Sequence, residues 1–282
     1  MPSRVREIAP VSGSAAFRLS VIELAGGFPQ AATLALRFFQ RDLRAEHRQS
    51  LLGYLWIAIP VVGQTLIWLF LNDQDIVKID SGATPYALFV VSGTILWSAF
   101  NGGVMAVLGV VNQAKGVLAK VNFPQESLIY AACLKSAMEA GIASLLVVPV
   151  ALVVDFKPGL GLLLFPAAVL AALLVGWAAA TLMLPLAALY GDVSRVIQLV
   201  LRFGFFVTPV VYPLPTSEPV RTAMLLNPVA SVVLTGRAWL TGQAAEAAGL
   251  FWLTAIGSSV VLAIGLIVYR IALPHLIERL SA

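Results

Sequence analysis

Four arginines offer the most definite chemistry in this chain. Arg37, Arg41, Arg44 and Arg48 are spaced four, three and four residues apart, so on a helix they share one face. Guanidinium groups arrayed this way can hold phosphate oxygens through charge-assisted, two-pronged hydrogen bonds. They can equally anchor the helix to anionic lipid headgroups. Phe28, Ala32, Leu36, Phe39 and Leu43 fall on the opposite face. Such a helix lies flat in the headgroup layer with its arginines toward water.

Aromatic rings form a second set. Tyr86, Phe89, Trp97 and Phe100, with Gly93 between them, fall within about a third of a helix circumference. Trp68 belongs to the preceding apolar run. Rings in a row can stack on the apolar faces of sugars while the hydroxyls stay in water. They can also be plain packing or an interfacial aromatic belt. Within the apolar segments the candidate charges are Lys135 and Glu139, four residues apart on one face. They fit a proton or ion relay, or a local ion pair with the lysine reaching toward the interface.

Several chemistries are disfavoured. The two histidines, His47 and His275, lie outside the apolar segments, and Cys133 is the single cysteine. This speaks against a Ser–His protease, a His-ligated haem, an HExxH zinc site, an intrachain disulfide and a Cys-cluster metal site. No metal site and no nucleic-acid partner are expected. The sequence has no GxxxxGK[ST] phosphate loop, so ATP-driven work would need a separate ATPase.

The elements that must position these residues are read from hydropathy. Hydrophobic residues make up 60% of the chain and charged ones 11%, against about 25% charged in soluble domains. Leu51 to Leu71 carries no charge over 21 residues, long enough to cross a bilayer core of about 30 Å. Six spans are predicted, at 51–71, 86–108, 128–154, 160–186, 196–213 and 248–269. They make an all-α integral membrane domain over 51–269, preceded by a tail at 1–27 and an amphipathic interfacial helix at 28–49, and followed by a tail at 270–282. No cleavable leader is evident, so the first span is expected to direct insertion. Thirteen Lys and Arg fall on the amino-terminal side of this arrangement and four on the other. The positive-inside rule then makes both termini cytoplasmic. Ala168, Ala172, Gly176 and Ala180 place a small residue at every fourth position of the fourth span. This is either a close-packing face or ordinary alanine-rich composition. Between the fifth and sixth spans, the apolar stretch Ala223–Leu240 is interrupted at Asn227–Pro228 and Gly236. Two short helices that dip into the outer leaflet and return fit it, with such breaks buried or lining a cavity. That makes 214–247 a candidate outer gate.

Four motifs carry a family resemblance across residues 35–270. They are RDLRAEHRQSLLGYLW at the head of the first span, Lys120-Val-Asn-Phe123-Pro124 after the second, Leu189-Tyr-Gly-Asp-Val193 before the fifth, and Thr208-Pro209-Val-Val-Tyr212-Pro213. Leu226-Asn227-Pro228 and Gly236-Arg237 follow the last. In this order they resemble the permease subunit of ABC-2-type polysaccharide exporters, which export O-antigen, capsule and teichoic acid chains. Gly191-Asp192 stands where the family has Arg-Asp, and Gln125 where it has a base.

The resemblance implies the ABC-2 (type V exporter) fold and a homodimer in the bacterial inner membrane. It also implies a channel for an undecaprenyl-diphosphate-linked glycan and two cytoplasmic ATP-binding subunits that carry the ATP and magnesium. The permease itself would hold no cofactor, and periplasmic export partners are possible. The resemblance places the coupling contact in the loop containing Asn112, Lys115, Lys120, Phe123 and Pro124. It places the periplasmic gate at the short helices after the fifth span, with Pro209, Tyr212, Asn227 and Pro228. Alternatives of other kinds are an ABC-2 exporter of a lipid or small drug, an integral-membrane enzyme of glycolipid synthesis, and a secondary carrier.

Overall fold

The computed structural model describes residues 13–49, 52–82, 84–118, 123–156 and 159–281. Among them the chain is helical, with no strand. The order is α1 (Gly13–Gln49), α2 (Leu55–Asp73), α3 (Tyr86–Leu118), α4 (Glu126–Ser144), α5 (Val147–Val153), a 3₁₀ turn at Leu160–Leu164, α6 (Phe165–Leu189), α7 (Gly191–Val207), α8 (Glu218–Leu225), α9 (Pro228–Thr241) and α10 (Ala248–Ser281).

Among the described residues five stretches are long and apolar enough to cross a membrane: Leu55–Asp73, Tyr86–Val110, Glu126–Val153, Leu160–Leu189 and Ala248–Leu273. The bent pair α8–α9 raises the count to six if it is taken as one span. The protein is therefore an all-helical, multi-pass membrane protein.

The centre of the fold is α3, packed against α6, α4 and α9. Small residues let the backbones approach. Ala168, Ala172, Gly176 and Ala180 are all buried, and a Cβ on Gly176 would run into the Phe100 carbonyl oxygen. The four-residue stripe is thus a packing face. Leu88, Ile95, Leu96, Leu173, Val232 and Val233 fill the core around it. In contrast, α2 and α10 leave Leu55, Leu66, Ile67, Phe70, Leu253 and Ile256 exposed. Apolar side chains facing outward are what a bilayer solvates.

Four elements depart from the sequence expectation. First, α1 begins at Gly13 rather than Phe28. Among its described side chains the buried ones are Ala31 and Ala35, because small side chains let α1 lie close on α4. Phe28 and Leu36 stay exposed. Second, the fifth expected span is a 17-residue helix, α7, about 25 Å long, followed by buried non-helical backbone at Thr208–Val211. Pro209 explains the stop: it has no N–H and biases the residue before it toward extended backbone, and Thr208 has φ −94° and ψ 138°. Third, Gly236 does not interrupt α9. It is the point where α9 meets Leu96 and Ala168, whose side chains a Cβ would strike. The break is at Asn227–Pro228, where α8 and α9 meet at 95°. Fourth, the expected tail after Arg270 continues helical to Ser281.

Candidate functional site

The break at Thr208–Val211 frees backbone carbonyls inside the protein, and the neighbouring helices supply donors. The Arg237 guanidinium, on α9, donates to the Pro209 carbonyl through both Nη atoms at 3.3 Å. Nη2 also donates to the Val210 carbonyl. The Tyr86 hydroxyl, at the start of α3, donates to the Val211 carbonyl at 3.3 Å. Asn227 Nδ2 donates to Thr208 Oγ1 at 2.8 Å, and Asn227 Oδ1 caps α9 by accepting from the Val229 N–H at 3.0 Å. The Tyr212 hydroxyl closes the turn on the Phe206 carbonyl at 2.7 Å.

Arg237 is itself buried, and among the described residues no carboxylate pairs with it. Its charge is met by these carbonyl dipoles and by the face of Phe89, whose ring centroid lies 3.6 Å from Cζ. Gly93 makes the arrangement possible: a Cβ there would meet the Val210 carbonyl and Arg237 Nη2. Non-helical backbone at membrane depth survives only when its polar groups are satisfied within the protein, and this cluster does that.

The structure therefore brings together the four expected gate residues Pro209, Tyr212, Asn227 and Pro228. In the sequence Arg237 stands out only as part of the Gly236-Arg237 motif. The available signal was a lone cation within an apolar stretch, Val232 to Leu240, that is otherwise uncharged.

The aromatic stripe sits elsewhere than on an open face. Phe89 lies under Arg237. Trp97 is buried between Phe100 (5.2 Å) and Phe205 (5.9 Å), with Gly204 against its ring. Tyr86, Phe100 and Trp68 are half-buried, and Trp68 leans on Phe205 at 6.5 Å. Among the described residues the aromatic rings most open to the surroundings are Phe70, Phe203, Phe206 and Trp56.

On α1, Arg37, Arg41 and Arg44 are exposed and line one shallow recess of about 480 Å³ with Gln40 and Ala45. Arg41 also pairs with Asp42 at 2.7 Å. The side chain of Arg48 lies outside the described residues. Two further recesses open on α3 and α4. One, of about 570 Å³, lies between α2, α3 and α4; the other, of about 510 Å³, lies between α1, α3 and α4. They share Gly102 and Glu139. Lys135 and Glu139 are half-buried and 3.9 Å apart, the spacing of a local i, i+4 pair.

Of the expected coupling residues, Asn112 and Lys115 sit on the last turns of α3, and their side chains lie outside the described residues, as does all of Lys120. Phe123 packs edge-on against Phe38 of α1 at 5.9 Å, with Pro124 next to it. Directly after this segment, the buried Glu126 pairs with Arg270 of α10 at 2.9 Å. Among the described residues no group of His, Cys, Asp and Glu could hold a metal.

A multi-pass helical membrane protein with a broken segment clasped between α3 and α9 is the class that the fold and site define. No family model matches the chain. It is 27% identical over 221 residues to the O-antigen export system permease protein RfbA of Myxococcus xanthus, covering 77% of this chain and 84% of that one. It is 23% identical over 205 residues to the protein of the same name from Klebsiella pneumoniae, covering 70% and 76%. The chain thus resembles ABC-2-type polysaccharide export permeases along most of its length.

Proposed function

We propose that this chain is the membrane-embedded permease subunit of an ATP-driven exporter of lipid-linked polysaccharide of the O-antigen kind. The observation that carries the reading is the similarity to O-antigen export permeases over 221 residues. Two copies form the channel in the inner membrane with both termini cytoplasmic, as the distribution of Lys and Arg supports. Two ATP-binding subunits supply the ATP and magnesium chemistry, and this chain's residues bind and guide.

The diphosphate of an undecaprenyl carrier meets Arg37, Arg41 and Arg44, three exposed guanidinium groups around one recess, as bidentate phosphate recognition requires. Closure of the ATP-binding subunits presses on the segment from Asn112 to Pro124. The outer gate is the α8–α9 hairpin with the break that Arg237 holds. Sugar rings pass along exposed or half-exposed aromatics, among which Phe100, Tyr86 and Trp68 keep open surface, while Phe89 and Trp97 act from within by shaping the helix. Weak stacking at many places suits a polymer that must keep moving.

Gene deletion tests the reading. The expected result is loss of the polysaccharide at the cell surface with lipid-linked glycan accumulating inside. Unchanged surface polysaccharide would sink it. A change confined to phospholipids or to drug resistance would favour an exporter of smaller molecules.

A further inference from the structure

The ion pair between Glu126 and Arg270 lies at a joint that the fold makes mechanically useful. Glu126 is in the first turn of α4, immediately after the segment assigned to the ATPase contact, and its side chain is almost wholly buried. Arg270 lies toward the far end of α10, an unbroken helix of 34 residues. Next to it, Tyr269 is fully buried. The Tyr269 hydroxyl, Gln125 Oε1 and Ser127 Oγ are buried without hydrogen-bond partners. These atoms belong to the chain neighbours of Glu126 and Arg270, so the two helix segments that the ion pair joins carry buried polar groups inside an otherwise apolar bundle. A buried ion pair is a poor way to gain stability, since apolar groups of similar volume do as well or better. What it supplies is a fixed register between the two helices.

The other end of α10 bears on the gate. Thr254 lies 3.1 Å from Ser231 of α9, hydroxyl to hydroxyl, and Phe251 stacks edge-on against Trp239 at 4.8 Å. Thr254 and Arg270 are 16 residues apart, about 24 Å along one helix. Between them Gly265 meets the backbone of Thr181 and Leu182, a close crossing on α6 about which α10 can pivot. On α9, the same helix that Thr254 and Phe251 touch, Arg237 holds the Pro209–Val210 carbonyls.

We propose that Glu126 and Arg270 are positioning residues that couple the ATPase contact to the outer gate, with α10 as the rigid strut between them. Displacement of the Asn112–Pro124 segment moves the N-terminus of α4. The ion pair passes that movement to α10, and α10 shifts α9 and the break that Arg237 clasps. The inference rests on the exporter reading and deepens it: it says how this chain carries the stroke.

The experiment uses the full permease assembled with its ATP-binding subunit, and measures ATPase rate and polysaccharide export separately. Glu126→Gln and Arg270→Gln should each keep ATPase within about twofold, keep membrane levels of the permease, and lower export about tenfold or more. Arg270→Lys, which keeps the charge, and the exchange of Glu126→Arg with Arg270→Glu should each recover export to within about threefold of the parent. Full export in the two glutamine variants overturns the proposal. So does a parallel fall of ATPase, export and membrane level in all four, which makes the pair a folding contact only. If deleting the gene leaves surface polysaccharide unchanged, the exporter reading itself fails; if deletion abolishes it and the glutamine variants export normally, only the strut is wrong.

Discussion

Gly93 and Arg237 are matched across the α3–α9 contact: the guanidinium reaches the Pro209 and Val210 carbonyls through the space that a side chain at position 93 would fill. A Cβ there meets a backbone carbonyl as well as the arginine, so only the arginine side of the collision can yield. Gly93→Ala is expected to push Arg237 off the break at a cost of about 2 kcal/mol, typical of overpacking. The detergent-solubilised protein should melt about 4 °C or more below the parent, and export should fall with it. An unchanged melting temperature would mean that the clasp is not tight.

Removing the cation tests the same clasp from the other side. Arg237→Leu keeps most of the volume but leaves the Pro209 and Val210 carbonyls buried without donors, at about 1–3 kcal/mol for each group. Arg237→Lys retains one donor point without the planar fork and should fall between the parent and Arg237→Leu. Protease accessibility of the segment from Thr208 to Pro213, added from the outside of inner-membrane vesicles of defined orientation, measures it. The expected order of cleavage is Leu fastest, Lys next, parent slowest.

Trp97 and Phe100 are neighbours with different expected outcomes. Trp97 is enclosed by Gly204 and Phe205, so Trp97→Ala opens a cavity and costs about 3–5 kcal/mol, read as loss of the folded permease from the membrane. Phe100 is half-buried, so Phe100→Ala should leave assembly nearly intact and lower export of long chains more than of short ones. A gel of surface polysaccharide from the two strains separates these outcomes. Equal chain-length profiles in the parent and Phe100→Ala would remove Phe100 from the glycan path.

Much of this fold was legible because hydropathy and small-residue spacing act locally. The charge-free run before Asp73, the α6 stripe of Ala168, Ala172, Gly176 and Ala180, and the hinge at Asn227–Pro228 each declare themselves within a few turns of chain. The breaks at Pro209 and Pro228 were legible for the same reason: both residues carry backbone consequences wherever they occur. Arg237 was not, because its partners are carbonyls freed 27 and 28 residues away, and a lone arginine near a helix break reads as a surface charge until the fold closes over it. The aromatic stripe, open in the sequence between stacking, packing and an interfacial belt, needs the fold to decide it. Helical spacing puts Phe89 and Trp97 on one face, but only the positions of α7 and α9 decide that this face is covered. Glu126 and Arg270 lie 144 residues apart in sequence, and neither has a local pattern that points to the other.

The α6 stripe gives a prediction independent of transport. Gly176 has the Phe100 carbonyl and the Val104 N–H directly over its α-carbon, so the two helix backbones are in contact there. Gly176→Val must separate α3 from α6 along the centre of the core, and the permease should fail to accumulate. Gly249, near the start of α10, has nothing near its α-carbon. Gly249→Val should accumulate normally, and a similar loss at both sites would mean that valine disturbs insertion rather than packing.

The arginine face can be tested by separating charge from hydrogen-bond geometry. Replacing Arg37, Arg41 and Arg44 together by lysine keeps the positive charge that draws α1 to anionic lipid, each residue contributing about 1 kcal/mol near such a surface. It removes the planar fork that grips a phosphate at two points. If these residues serve only as a lipid anchor, the triple lysine variant should export as the parent does, and the triple glutamine variant should be the defective one. If they hold the carrier's diphosphate, the lysine variant should already lose most export while its membrane level stays unchanged. Its requirement for lipid-linked substrate in a reconstituted assay should rise about tenfold, with the ATPase maximum retained. The diphosphate reading predicts this second pattern, because the three side chains surround a single recess rather than spreading along the helix as a diffuse anchor would.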